Sequence, residues 1–344
     1  MTNDPIAAGK ELLAPVRAAM YDWTADGVRD ALVGASTPDA VFQLAFPFET
    51  LGGPADFAGG ALDVLAAAWP DVERRDYIVI AGDDPYGATW VGCAGYYTGT
   101  FVRPFLDIPP TGHQATMRFH EFFRIDDGRI VEMQALWDIP EVMMQAGAWP
   151  MGPALGRTWP APAPATSDGV RTGDRDPADS ERSAQHVIGM LGDMGRHPTE
   201  PEEAMRLDQW WHEKFSWYGP AGIGTARGVT GFRHWHQIPF LNAMPDRRGG
   251  YRGEAHFFAD GPFVGVTAWP GMEMTFTGGG FLGIPPTGQE LTMRSLDFWR
   301  IEDTPEGPKI RENWVLVDLL SHWDQLGVDV LARMRELTKP LSLY

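Results

Sequence analysis

The sequence predicts an α+β protein of two tandem cone-shaped domains, each a strongly bent antiparallel sheet with helices packed on its concave side. Three observations lead there. The block IPPTGHQATMRFHEFFRI at 108–125 recurs as IPPTGQELTMRSLDFWRI at 284–301, with eleven of eighteen positions identical at an offset of 176. Each half runs helices first, then strands, then a closing helix. A Pro/Ala/Asp-rich stretch separates the halves. The domains are read as 1–150, a divergent copy, and 185–344, a fuller copy, joined by a linker over 151–184 that carries few large apolar side chains.

The repeat continues past a small insertion. Ile130-Val131-Glu132 answers Ile310-Arg311-Glu312, Asp138 answers Asp318, and Gly147 answers Gly327, now at an offset of 180. The inserted residues, around Thr304 to Pro308, fall where the first copy turns at Asp126-Asp127-Gly128. Turns are solvated and take insertions readily.

In domain one, Asp4-Pro5 opens a helix whose apolar face is Leu12, Leu13, Val16, Met20 and Trp23, and Thr24 can cap a second helix. Residues 72–82, 87–102, 114–125 and 129–138 alternate with period two and read as strands. In domain two, Thr199-x-x-Glu202 reads as a capping box opening a helix through Trp210, Trp211 and Phe215 to Gly219. A second helix is expected over 229–242, strands after it, and a closing helix from Leu319 to Leu337.

Composition narrows the partners. A formal net charge of −18 disfavours nucleic acid and anionic membranes. Cys93 is the only cysteine, which rules out a disulfide framework or a thiolate zinc site within one chain. Met1 to Lys10 lacks the apolar core of a signal peptide, and no apolar run is long enough to span a bilayer, so the cytoplasm is the expected compartment. Thr277-Gly-Gly-Gly-Phe281 has no following Gly-Lys-Ser/Thr, which argues against a phosphate loop.

The string Ile284 to Gly288, a strand ending Phe298 to Ile301, then Ile310 to Asp318 and Gln325 to Gly327, resembles the SnoaL-like polyketide cyclase family. The resemblance covers roughly 218–330 and, with Glu132-Met133-Gln134 in place of Glu312-Asn313-Trp314, roughly 59–147. It implies the nuclear-transport-factor-2-like fold and cofactor-free, metal-free acid/base chemistry on a small, largely apolar molecule bound in the pocket of domain two. Cyclisation, isomerisation and hydrolysis all fit, and a non-catalytic binding or assembly protein is the alternative. The copies are expected to pair as an internal pseudo-dimer or across a homodimer.

A carboxylate desolvated in such a pocket is suited to proton transfer near neutral pH. Asp138 and Asp318 hold the same place in both copies and lead the catalytic candidates, although Asp at that point can equally cap the following helix. Next come Asp297 and Glu121, an acid kept in both copies, and His120 beside Glu121. Neighbours on a strand face opposite ways, so either His120 and Leu296 or Glu121 and Asp297 face the pocket. Arg118 and Arg294 share the parity of His120 and read as salt-bridge partners on the outer face, which points Glu121 and Asp297 inward. Tyr218, His234, Trp235, His236 and Trp314 are the substrate-binding candidates, as aromatic walls with polar tips or as plain core.

Overall fold

A computed structural model describes residues 5–172, 176–249 and 255–338. Asp4 and residues 173–175 of the linker lie outside them. Domain one runs α1 (Pro5–Tyr21), α2 (Ala25–Ala35), β1 (Ser36–Leu44), β2 (Thr50–Gly52), α3 (Gly53–Phe57), a π-turn (Ala58–Leu62), α4 (Asp63–Ala68), β3 (Glu73–Asp83), β4 (Thr89–Thr100), β5 (Gln114–Asp126), β6 (Arg129–Trp137) and α5 (Ile139–Gln145). Thr24 Oγ1 accepts from the Gly27 N–H and starts α2.

Domain two repeats the plan. It runs α6 (Pro177–Met194), a 3₁₀ turn (Glu202–Met205), α7 (Leu207–Trp210), β7 (Trp211–Tyr218), β8 (Thr225–Arg227), α8 (Gly228–Phe232), a π-turn (Arg233–Gln237) and α9 (Ile238–Ala243). It continues with β9 (Arg248–Gly249), β10 (His256–Asp260), β11 (Phe263–Thr275), β12 (Glu290–Thr304), β13 (Gly307–Val317), α10 (Leu319–Gln325) and α11 (Val330–Leu337).

The sheets are ordered β2-β1-β6-β5-β4-β3 and β10-β11-β12-β13-β7-β8, with β9 paired to β11. In each, the first long strand lies parallel to the last, Val41 beside Glu132 and Ser216 beside Glu312. The expected strongly bent, cone-shaped sheets are therefore corrected. Each sheet is open, its two end strands unpaired with one another, and the sheets are not antiparallel throughout. The reason is that the back of each sheet packs on the back of the other. Face-to-face packing demands two mutually fitting, gently twisted surfaces rather than two tight curls.

Period-two alternation divides the strands between two cores. Val79, Val91, Cys93, Phe119 and Phe123 face the helices, with Leu13, Val16 and Leu32. Ile78, Ile80, Trp90 and Phe122 face the other domain, where Phe258, Phe298, Leu296 and Trp314 meet them. Phe122 and Phe298 stack at 4.8 Å. Glycine makes room for these rings. A Cβ on Gly92 would stand 2.9 Å from Phe258 and Phe298, and one on Gly265 2.8 Å from Phe258. The two glycines hold one position in the repeat, because Gly92 pairs with Phe122 and Gly265 with Phe298.

A matching polar clasp flanks the rings. Arg118, buried, donates to the carbonyls of Tyr218 (3.2 Å), Gly219 (2.9 Å) and Val315 (2.9 Å). Asp138 Oδ2 accepts from the Ala221 N–H at 2.9 Å. Its counterpart is Asp318, whose Oδ2 accepts from the Phe46 N–H (2.9 Å) and from Arg294 (3.1 Å), while Arg294 also holds Glu49 at 2.5 Å. The two arginines, expected to pair across strands on an outer face, thus lie between the domains and mostly serve backbone carbonyls or interdomain acids.

Two sequence expectations change. The helix expected from Thr199 to Gly219 is a 3₁₀ turn and one helical turn, then strand β7. Trp211, Phe215 and Trp217 fit a period of two, and the parallel place beside β13 settles the choice. The closing helix breaks at Gly327, whose φ of +76° suits a helix C-terminus. We predict that Arg118→Met, which leaves Asp138 buried without its cation, costs about 3–5 kcal/mol in urea unfolding. A loss near zero would contradict the clasp.

Candidate functional site

Domain two encloses a cavity of 720 Å³ on the helix side of its sheet, walled by α6, the π-turn and strands β10 to β13. Trp211, Trp217, Trp299, Phe232, Phe240 and Met272 make most of it apolar. Register explains why the cavity is here and what the first copy does with the same place. The ladder Gly95–Phe119–Trp137 in domain one corresponds to Ala268–Ser295–Val317 in domain two. Likewise Arg74–Tyr97 corresponds to Gly249–Met272, and Cys93–Glu121–Ala135 to Val266–Asp297–Val315. Domain one therefore sets Arg74, Tyr97, Phe119 and Trp137 where domain two has Gly249, Met272, Ser295 and Val317.

Those four side chains fill domain one around Glu121. Arg74 Nη1 meets Glu121 Oε2 at 2.5 Å, and Tyr97 Oη and the Trp137 indole Nε1 donate to Glu121 Oε1 at 2.9 and 3.0 Å. Burial alone would weaken the Arg74 charge. Asp76 and Glu121 more than offset it, and hold the guanidinium protonated well above its usual range. Phe119 lies under the guanidinium at 4.1 Å.

In domain two, Asp297 pairs with no cation among the described residues, and Arg196 and Arg247 stand elsewhere on the cavity wall. Among the described residues it is the only acid on the cavity wall. Its accessible surface faces the cavity, and burial pushes its pKa up from 3.8 to about 7. The Ser295 hydroxyl donates to Asp297 Oδ1 at 2.8 Å and, with Arg118 across the sheet, limits the rise. His236 stacks on Trp217 at 4.0 Å, and burial, with Arg247 nearby, lowers its pKa to about 3, so its imidazole is neutral. Among the described residues, the buried nitrogens His236 Nδ1, Trp211 Nε1 and Trp299 Nε1 on these lining side chains meet no hydrogen-bond partner.

Of the sequence candidates, Asp297 and His236 come together on this wall. The others lie elsewhere. Asp318 caps α10 through the Ser321 N–H (3.0 Å), and both it and Asp138 take part in the interdomain clasp. Glu121 is locked in domain one's ion pair. His120 is buried between the sheets with Nδ1 2.7 Å from the Leu296 carbonyl, and burial keeps it neutral. Tyr218 and Trp314 also lie between the sheets, Trp314 donating to Pro162 O. His234 and Trp235 are exposed. Sequence reasoning passed over Ser295. The strand parity that turned Asp297 inward puts Ser295, two residues away, on the same face.

A family model, SnoaL-like polyketide cyclase, matches residues 16–146 and again 200–326. The chain belongs to this family, twice over. Solved structures similar to it include AclR of Streptomyces galilaeus (22% identity, 41% of this chain and 86% of that one, TM-score 0.35). IdmH of Streptomyces antibioticus (25%, 40% and 98%, 0.33) and TsrD of Streptomyces laurentii (19%, 41% and 96%, 0.34) are others. Each spans about one SnoaL-like copy of this chain. Among curated proteins none matches. Among the described residues no group of three His, Cys, Asp or Glu side chains could hold a metal ion, and no helix is long and apolar enough to cross a membrane.

The two acids at one repeat position have opposite effects on stability. Asp297 binds its proton more tightly folded than unfolded, so the folded state holds the extra proton between about pH 4 and 7. Stability falls as pH rises through that window. Asp297→Asn is expected to melt above the parent at pH 8, with the gap closing towards pH 4. Glu121→Gln, which leaves buried Arg74 with Asp76 alone as counter-charge, is expected to cost about 3–5 kcal/mol at pH 8. Thermal and urea unfolding across pH check both, and the same sign for the two variants would refute the contrast.

Proposed function

We propose that domain two binds a small, largely apolar molecule in its cavity and that Asp297 moves a proton on it, while domain one serves as a filled partner. The observation that carries this reading is a single carboxyl, with a pKa of about 7, on a cavity wall that is mostly apolar. Near neutrality it is populated both as base and as acid, the condition for taking a proton from one atom and returning it to another. Ser295 engages Oδ1, leaving Oδ2 as the reacting oxygen.

The substrate class follows from the walls. Trp217 and Phe232 offer flat apolar contact, and the neutral His236 suits a carbonyl or hydroxyl oxygen. Carbanion formation beside a carbonyl places negative charge on oxygen, and preorganised donors in a dry cavity stabilise it. Intramolecular attack by that carbanion closes a ring, and reprotonation elsewhere gives an isomer. Both need only a proton carrier and donors. Family membership supports the cyclising outcome.

Deuterium exchange at the α-carbon of apolar cyclic ketones, 2-tetralone first, tests the proton transfer by NMR. The full-length protein is expected to speed exchange over buffer, and Asp297→Asn to remove about 10²–10⁴ of that rate while ketone binding persists. Activity should rise with pH through about 7, and Ser295→Ala, by removing a hydrogen bond to the carboxylate, should move that limb to higher pH. Binding of the ketones with no exchange above buffer would leave a binding protein without catalysis.

A further inference from the structure

The back-to-back packing creates two equivalent grooves at the domain seam, and the linker lies in one of them. There, Tyr96 Oη donates to Ala161 O (3.0 Å), Trp314 Nε1 to Pro162 O (2.9 Å), and the Ala165 N–H to the Glu312 carboxylate (3.2 Å). The chain then reaches the edge of β3, where Val79 N–H donates to Gly169 O (2.9 Å) and Arg171 N–H to Val79 O (3.0 Å). The linker is thus held chiefly through its backbone, with a turn over 164–167 (Ser167 N–H to Pro164 O, 2.8 Å) between the groove and the strand edge.

The second groove, of 450 Å³, is lined by the repeat equivalents of those residues. Glu132 stands for Glu312, Gln134 for Trp314 and Gln43 for Tyr218, by strand register. His256 stands for Ile78, and Trp269 lies on the bulge that replaces Tyr96. The local bonding is repeated too. Arg124 Nε holds Glu132 at 2.9 Å as Arg300 Nε holds Glu312 at 2.6 Å, and Gln43 donates to Glu132 at 3.1 Å as Tyr218 does to Glu312 at 3.3 Å. What differs is the cover. The Arg300 and Glu312 side chains are 4% and 6% exposed, those of Arg124 and Glu132 34% and 17%. Phe257, equivalent to Val79, lies on β10, a strand that among the described residues pairs only with β11.

We infer that this second groove is a docking site for a peptide of another chain, which turns between the groove and the strand edge as the linker does. Glu132 would take a backbone N–H as Glu312 does, and the edge at Phe257 would take a backbone pair as Val79 does. The ring of Trp269 forms a wall for a proline or other apolar residue, as Tyr96 does for the Pro/Ala stretch of the linker. Gln43, Gln134 and His256, replacing Tyr218, Trp314 and Ile78, make the groove more polar than its twin. His256 is fixed for that purpose, its Nδ1 on Asp84 Oδ2 at 2.5 Å and Asp84 in turn on the Trp90 N–H at 3.1 Å. The peptide it selects therefore carries hydrogen-bonding side chains beside its proline, unlike the apolar Pro160-to-Pro164 run.

Short random peptides displayed on phage, selected on the full-length protein, test this. Enriched peptides are expected to lose about tenfold or more in affinity on Glu132→Gln and on Trp269→Ala. They should also slow amide hydrogen exchange at 256–258. Circular dichroism confirms that each variant is folded, and should one unfold, the other and the exchange pattern decide. Failure to enrich any peptide, equal affinity on the folded variants, or protection elsewhere overturns the inference. A groove that takes only a small polar molecule gives the first of these results.

Discussion

The close approach of the two sheets at Gly92 and Gly265 is the constraint on which the rest depends. It commits one face of each sheet to the partner domain. Aromatic rings fill the middle, and the arginines and aspartates of the clasp close the rim. Only the opposite parity remains for helices and for a binding cavity. The direction in which any strand side chain can act is thereby decided before its chemistry is considered.

Within that frame the two copies diverge by volume and charge at a handful of positions. Arginine, tyrosine, phenylalanine and tryptophan fill the interior of one, and glycine, methionine, serine and valine hollow out the other. The acid at the centre is common to both, yet its state is opposite. Beside Arg74 it is a buried ion-pair partner, and the desolvation of both charges means the pair specifies one arrangement more than it adds stability. Without the cation, the same kind of carboxyl is left on an apolar wall with its proton loosely poised.

Much of this was legible in the sequence. The duplication, strands β3 to β6 of domain one, the Thr24 cap and the inward parity of Asp297 all follow from spacing, whereas β1 and β2 do not. Nor does the position of β7. Trp211 and Phe215 are four apart, a helical interval, and only pairing with β13, more than ninety residues away, makes a strand of them. The open sheets were hidden for a related reason, since curvature is set by what covers the back face. Ranking acids by identity between copies favoured Asp138 and Asp318. Two copies that pack against each other share whatever the seam requires, so identity between them tracks the interface as readily as the chemistry. Asp297, paired only with a glutamate, stands out once burial is known.

The linker laid along one seam has a consequence for how the molecule behaves in dilute solution. Two separate chains meeting through the same surfaces would come apart as their concentration fell. Here the second half is always present at the high effective concentration its tether sets, and the tether itself is bound to both sheets. The hollow domain therefore keeps its backing, and with it the geometry around Asp297, however scarce the protein becomes.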